Sequence, residues 1–506
     1  MDLQLKLTDT LSHEKKPFKP LKEGEVSLYV CGVTVYDHCH IGHARGAVVF
    51  DVLRRYLEGH YKLKVKHVRN ITDLDDKIIV RAINDSDLKD LTPKRACLKV
   101  ANQYTESFQQ DFKKLGFLHP NREPKATRFI KKMQDFIRTL LDKNFAYVGQ
   151  DGVYFSVQKL SDCYGQLSKQ KLDQMLEGVR VEPVEGKRDP LDFALWKRAK
   201  RKEPSWRSPW GNGRPGWHIE CTTMATEILG KEFDIHGGGQ DLIFPHHENE
   251  RAQALGAGMK FARYWLHNGL LTVDGQKMSK SAGNFVYIRE ALKREVLKKN
   301  SADALRMFFL SAHYKSPLDF TWGRLDEADH SYENIKEFFK RVSEGYGATQ
   351  PEDRKVAKKG DLNGLEQIEK KSSSRFFEAM DDDLNTPEAL AEIHLLIRFA
   401  KGKFGSGSRS ACNKALLRLA RDKVYEQCRI LGFFQYEQME TKTATIGGNA
   451  YIVPPLPPEA QQLVSEREDA RRKKDFKRAD EIRHQLMEQG YGVEDDGDET
   501  RAWKRV

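Results

Sequence analysis

Glu25-Val26-Ser27-Leu28-Tyr29-Val30 is followed within ten residues by His40-Ile41-Gly42-His43, and then by Lys64-Val65-Lys66-His67-Val68-Arg69-Asn70-Ile71. In the first run Val26, Leu28 and Val30 alternate with their neighbours, the period of a strand. Between Gly42 and Leu57, Val48, Val49, Val52, Leu53 and Tyr56 recur at the period of a helix. Lys64 to Ile71 returns to strand. Strand, helix and parallel strand make a βαβ unit, which grows into an open sheet that binds nucleotides at the carboxyl ends of its strands. The expectation is an α/β chain built on a parallel sheet.

Working outward, residues from about 94 to 143 read as helical. Those from about 145 to 215 read as irregular, with a strand around Val153 to Ser156 and a Trp/Pro/Gly/Arg-rich tract at Trp206 to Gly216. Strand and helix signals return from Leu229 to Val286. The layout predicts one sheet interrupted by an insertion at about 115–210. From Asp303 the pattern turns helical, as in Ala304 to Ala312 and Ser331 to Ser343, with polar breaks at Gly345 to Gly360 and Gly402 to Ser410. Thr441 to Pro458, with Gly447-Gly448 and several prolines, reads as a linker. A charged helix is expected over Pro458 to Gln489, then a short tail. No internal repeat is visible.

A chain of 506 residues fits roughly three domains. With 39% hydrophobic and 31% charged residues it is globular rather than disordered. No apolar run approaches the roughly 18 residues of a membrane helix, and Met1 to Pro20 has no apolar leader core, so a cytoplasmic protein is expected. Lys and Arg number 85 against 74 Asp and Glu, a net charge of +11 that suits a polyanionic partner without requiring one. Seven cysteines, an odd count scattered from Cys31 to Cys428, make no disulfide framework. Each thiol is left for core packing or for a metal.

His40 and His43 sit where the loop meets the first helix, and helix N-termini attract anions. Two imidazoles there can donate to a triphosphate, and Gly42 lets a flat base lie against the backbone. The blander reading is a cap and a packed ring. Lys277-Met278-Ser279-Lys280-Ser281 follows the Asp274-Gly275 turn, and two lysines three apart can close over phosphates. The blander reading is a solvated loop. Four potential metal ligands stand out: Cys31 at the end of the first strand, Cys221, and His246 with Glu250, spaced to reach one ion from one helix face. Two thiolates, an imidazole and a carboxylate suit zinc. His247 and Glu248 remain rival ligands by spacing alone. The acidic run Asp73-Leu74-Asp75-Asp76 reads as turn and cap carboxylates rather than a magnesium site.

The two motifs, in this order and about 230 residues apart, resemble the HIGH and KMSKS signatures of class I aminoacyl-tRNA synthetases. Cys31-Gly32-Val33-Thr34-Val35-Tyr36-Asp37, Asn70-Ile71-Thr72-Asp73, Gly216-Trp217-His218-Ile219-Glu220-Cys221, His236-Gly237-Gly238-Gly239 and Phe244 to Glu250 resemble the cysteinyl-tRNA synthetase family in particular, and Arg478 to Arg483 fits its tail. The resemblance covers most of residues 20 to 320. It implies a Rossmann-type catalytic domain over 1–320 with an inserted connective segment, a helical bundle over 321–440, and a small basic anticodon-reading domain over 459–506.

It also implies zinc, one per chain, on Cys31, Cys221, His246 and Glu250, with His247 and Glu248 not ligands. Trp217 would wall the amino-acid pocket, and Thr72 and Asp241 would lie near the substrate amine. His40, Gly42, His43, Lys277, Ser279 and Lys280 would bind ATP with Mg²⁺, and the two histidines and two lysines would carry the catalysis. The partners implied are cysteine tRNA, ATP and L-cysteine, with no membrane, and the chain would act as a monomer. The departure is His38, where the family pattern suggests a small or apolar residue and where a solvent-facing ring is expected. The insertion is too short for a full editing domain by length alone. A relative that joins cysteine to an amino sugar would share these signatures but lack the basic tail, and a binding-only protein would not need Lys277 to Ser281.

Overall fold

In the computed structural model of the chain, the described residues are 3–171, 186–279, 283–294, 301–370, 374–404, 410–434, 443–446, 449–452, 458–473, 475–488, 491–496 and 499–504. They pack as two compact units, one of Met1–Ala328 with Met380–Thr386 and the other of Asp329–Ala379 with Pro387–Val506.

The centre of the first unit is a four-stranded, all-parallel sheet in the order Phe261–Asn268, Glu232–Gly239, Glu25–Val30, Lys64–Arg69. Tyr29 faces His236 and Val30 faces Gly237 across the central pair. The chain leaves Glu25–Val30 towards one edge and Glu232–Gly239 towards the other, so the carboxyl ends of these two neighbours flank a switch point, where open α/β sheets bind ligands. The expected alternation of Val26, Leu28 and Val30 is only half of the pattern. Tyr29, on the opposite face, is buried as well, because both faces of a parallel sheet are covered.

The helix Ile41–Gly59 crosses this sheet with Val48, Val49, Val52, Leu53 and Tyr56 all buried. Its approach is close. A Cβ at Gly237 would lie 2.2 Å from Phe50 of the helix, so only glycine lets helix and strand meet there. Asp51, buried on the same helix, accepts from Arg55 Nε at 2.9 Å, from Arg306 at 2.8 Å and from the Leu118 amide at 2.8 Å. Trp265 and Trp196 are fully buried, and a large apolar side chain so buried stabilises the fold by roughly 1.5–3 kcal/mol.

Part of the described region expected to be irregular is sheet, the strand expected around Val153 to Ser156 included. Ala146–Val148, Gly152–Phe155, Phe193–Arg198 and Gly213–Pro215 form a second, antiparallel sheet. Three of its four strands have only three or four residues, and the pairing shifts at Val153/Tyr154, so most of the sheet shows little period in sequence. The helical stretch expected over 94–143 is two helices, Pro93–Lys114 and Ile130–Asp142.

In the second unit, the expected polar break Gly345 to Gly360 contains the helix Asp353–Gly360. Arg418 on the helix Ala411–Ile430 pins it through Asp353, Nε to Oδ2 at 2.6 Å. The expected linker holds a hairpin, Thr443–Ile446 paired with Asn449–Ile452. The single charged helix expected from Pro458 is instead two, Pro458–Arg472 and Phe476–Glu488. Asp475 interrupts the run by accepting from the Arg478 amide at 3.1 Å, a cap that starts a new helix. Ala479, Ile482 and Leu486 are buried on it. Tyr491–Asp496 pairs with Glu499–Lys504 to close the tail, with Trp503 opposite Gly492. Among the described residues no helix is long and apolar enough to cross a membrane.

Candidate active site

Cys31 follows directly on the strand Glu25–Val30, its amide donating to Gly237 O at 3.0 Å across the switch point. The next amide, of Gly32, donates to Asn70 Oδ1 at 2.9 Å, and Asn70 Nδ2 donates to Thr72 Oγ1 at 3.1 Å. The run Asn70 to Thr72 thereby braces the loop that presents the thiol. His246 and Glu250 come after the neighbouring strand Glu232–Gly239. The backbone kinks at Phe244 within the turn Ile243–His247, which leads into the helix Glu248–Gly256.

These segments converge. Cys31 Sγ donates to Glu250 Oε1 at 3.4 Å, and His246 Nε2 is 3.0 Å from the same oxygen. His247 Nε2 lies 3.3 Å from Cys31 Sγ. One donor atom each from Cys31, His246, His247 and Glu250 lies within 4.8 Å of the others. Cys221, buried on the helix Trp217–Leu229, is a hydrogen-bond neighbour of Cys31 and of Tyr29. Glu248 is turned elsewhere, accepting from the Ser168 amide at 2.8 Å. Of the two rivals left open by spacing, geometry removes Glu248 from the cluster and keeps His247 beside it.

The electrostatics fit a cation. Burial pushes the Cys31 thiol well up, with Cys221 and Glu250 adding to it, and pushes the Glu250 carboxyl well up too. Burial pushes His246 and His247 well below the ordinary imidazole value. A buried set of two thiols, two imidazoles and a carboxyl that all favour their neutral forms is what a divalent ion reverses, since it supplies the charge that deprotonated ligands need. The separations of 3.0 to 3.4 Å between donor atoms are close to the edges of a tetrahedron with metal–ligand bonds of about 2.0–2.3 Å.

Three further imidazoles support this set, and sequence reasoning did not single them out. His218 Nδ1 is 3.0 Å from His246 Nδ1, His236 Nε2 is 3.0 Å from Glu250 Oε2, and His267 Nε2 is 2.7 Å from His247 Nδ1. Each fixes the orientation of a donor by holding its other polar atom. Their available signal was position, since His236 and His267 lie in the carboxyl-terminal halves of adjacent parallel strands. Trp217 stacks on His246 at 4.2 Å between centroids and remains 38% exposed. Thr72 is buried beside the brace just described, and Asp241 is exposed in the turn Gln240–Leu242.

At the first signature motif, His40 caps the helix Ile41–Gly59, its Nδ1 accepting from the Gly42 amide at 3.1 Å, while the His40 amide donates to His43 Nδ1 at 3.2 Å. The two rings stack at 3.7 Å. Burial, with His40 alongside, holds His43 well below the ordinary imidazole value. The capping role expected of a bland pair of histidines is therefore present at the very site where phosphates would bind. A Cβ at Gly42 would lie 2.9 Å from the His40 ring and 3.5 Å from Met278 Cε. The two motifs thus meet in space. Ile41 N donates to Val286 O at 3.1 Å and Ile288 N to Cys39 O at 3.0 Å, so the chain beyond the second motif pairs with the first. Lys277 ends the strand Gln276–Lys277, and the Ser279 amide donates to Asn284 Oδ1 at 2.9 Å. Lys280 and Ser281 lie outside the described residues.

Residues 17–330 match the family model described as the catalytic domain of class I (C) tRNA synthetases. The chain belongs to the cysteinyl-tRNA synthetase family. It is a class I aminoacyl-tRNA synthetase, an enzyme that attaches cysteine to tRNA. Residues 375–435 match the DALR domain, and residues 453–501 match the anticodon-binding domain of cysteinyl-tRNA ligase. The cysteine–tRNA ligase of Geobacter metallireducens is 45% identical over 508 residues, covering 99% of this chain and all of that relative. That of Thermococcus onnurineus is 42% identical over 507 residues, covering the whole of both. Among solved structures, methionyl-tRNA synthetase of Mycobacterium tuberculosis with methionyl-adenylate superposes with a TM-score of 0.59 at 15% identity, over 80% of this chain and 89% of that one. At that identity the likeness speaks for the fold alone: a class I α/β catalytic unit with an insertion, a helical bundle and a small C-terminal domain.

Proposed function

We propose that the enzyme works in two steps at the switch point, forming cysteinyl-adenylate and pyrophosphate from L-cysteine and ATP and then passing the cysteinyl group to the 3′-terminal adenosine of cysteine tRNA. The observation that carries this is a sulfur-bearing donor cluster at the carboxyl ends of the two central strands, with the loop from Cys31 running on into the first signature motif, against which the second is paired. The cysteine carboxylate attacks the α-phosphorus, so the chain must position and stabilise charge rather than form a covalent bond to its substrate. His40 and His43 donate to the triphosphate from the start of the helix Ile41–Gly59. Lys277 and Lys280 neutralise charge developing on the leaving pyrophosphate, with Mg²⁺ accompanying ATP.

Cys31, Cys221, His246 and Glu250 hold one zinc, and Trp217 walls the pocket beside His246. Zinc, when bound, offers the substrate thiolate a soft partner that a hydroxyl does not replace. Selection against serine then rests on losing a metal–sulfur bond, a far larger penalty than a misfit in shape. Thr72 and Asp241 orient the substrate amine. The tail from residue 459 reads the anticodon end of the tRNA, and the chain acts as a cytoplasmic monomer. Cysteine-dependent ATP–pyrophosphate exchange tests the reading. Exchange driven by cysteine and not by serine is expected, and exchange indifferent to the amino acid would overturn it.

A further inference from the structure

His38 is not the solvent-facing ring expected from sequence. Its Nδ1 lies 2.7 Å from Ser107 Oγ and its Nε2 3.3 Å from the NH1 of Arg289. Arg289 NH2 also donates to Ser107 Oγ at 2.5 Å and to Asp111 Oδ2 at 3.2 Å. Ser107 and Asp111 are buried on the helix Pro93–Lys114, and Arg289 belongs to the short helix Ile288–Leu292 that follows the second signature motif. A guanidinium only donates, so His38 Nε2 accepts and its proton resides on Nδ1, from which it donates to Ser107. The ring also meets Tyr104 edge-on at 5.2 Å between centroids.

The placement gives these contacts a consequence. His40 and Tyr287 are opposed in an antiparallel bridge, and His38 and Arg289 are the residues two further along on either side. Tyr287 OH donates to Asp37 Oδ2 at 3.2 Å, a second tie between the two segments. The pair therefore closes the open end of the only backbone pairing seen, among the described residues, between the His40-to-His43 segment and the chain returning from Lys277. An apolar side chain at 38 keeps the packing on Tyr104 but leaves Arg289 NH1 without this acceptor.

We propose that His38 is a positioning residue for the nucleotide half of the site, accepting from Arg289 while it donates to Ser107, so that the segment returning from Lys277 is held against the start of the helix Ile41–Gly59. The proposal rests on the reading of His40, His43 and Lys277 as the ATP-binding groups. It does not depend on which amino acid is activated.

His38→Leu and His38→Gln, in the full chain, test it by calorimetric titration with a non-hydrolysable ATP analogue and by ATP–pyrophosphate exchange. His38→Leu is expected to weaken the analogue and raise the KM for ATP by about tenfold, the size of one hydrogen bond to a charged group. The KM for cysteine and the bound metal should not change. His38→Gln, which restores an acceptor for Arg289, should recover most of the loss. Analogue binding by His38→Leu within twofold of the parent, equal losses towards ATP and cysteine, or no rescue by glutamine would each overturn the proposal. A parent that binds the analogue but exchanges without regard to cysteine, with the His38→Leu gap intact, would refute the cysteine reading and leave this one standing.

Discussion

His246 Nε2 lies 3.0 Å from Glu250 Oε1, and Cys31 Sγ, some 215 positions earlier in the chain, donates to that same oxygen at 3.4 Å. A carboxyl oxygen shared by a buried imidazole and a half-buried thiol is costly to ionise unless a cation joins them. The parallel strands Glu25–Val30 and Glu232–Gly239 bring the two segments together by ending side by side.

Metal analysis of the purified chain is expected to return one zinc per chain. Cys31→Ser and Cys221→Ser should each lose it together with cysteine affinity, because a hydroxyl is a poor ligand for zinc. His247→Gln should retain the metal, since two sulfurs, His246 and Glu250 already complete four-coordination. Full activity from a metal-free chain would sink the assignment, and zinc loss in His247→Gln with retention in Cys221→Ser would exchange the two residues' roles.

Lys280→Ala should slow adenylate formation by about 10²-fold or more, the loss typical of one charge-stabilising group. Zinc content and cysteine affinity should be untouched. Rapid-quench measurement of the first turnover reads the step directly, and an unchanged rate would remove the lysine from the mechanism.

Asp383 returns to the catalytic unit and accepts from Thr8 N at 2.7 Å, Thr8 Oγ1 at 2.6 Å and Tyr314 OH at 2.8 Å, while pairing with Lys315 Nζ at 2.8 Å. Burial alone would raise its pKa, but Lys315 and the two Thr8 donors outweigh that and hold it below the ordinary 3.8. A lowered pKa makes its contribution complete above the ordinary carboxylate value, and lost as pH falls through the folded one. Asp383→Asn should therefore cost roughly 2–3 kcal/mol at neutral pH, with the gap shrinking in acid below about pH 4. Urea unfolding of both proteins at several pH values checks this, and a gap independent of pH would refute it.

Truncation before Pro458 should leave cysteine-dependent exchange nearly intact, because both signature motifs and the donor cluster lie before residue 290. Charging of cysteine tRNA should fall, chiefly through weaker binding, and its salt dependence should flatten as phosphate contacts are lost. Equal charging by the truncated and intact enzymes would show that the tail does not engage tRNA.

The sequence by itself determined the βαβ seed, since the spacing of Val48, Val52 and Tyr56 is a local property of one helix, and it carried the two signature motifs. Beyond the strand around Val153 to Ser156 it did not reveal the antiparallel sheet of the insertion, three of whose four strands have three or four residues and are too short to display a period, nor the break at Asp475, where one capping carboxylate divides a uniformly charged run. Resemblance supplied a ligand set, but the convergence of Cys31 with His246 and Glu250 is decided by strand order, which no local pattern encodes. The same holds for His218, His236 and His267, whose neighbours come from distant segments. It holds as well for His38, read from sequence as a solvated ring and placed by the tertiary structure between Arg289 and Ser107. Local periodicity follows from backbone geometry within one element, whereas a buried polar side chain takes its meaning from whichever partners the packed chain brings within about 3 Å.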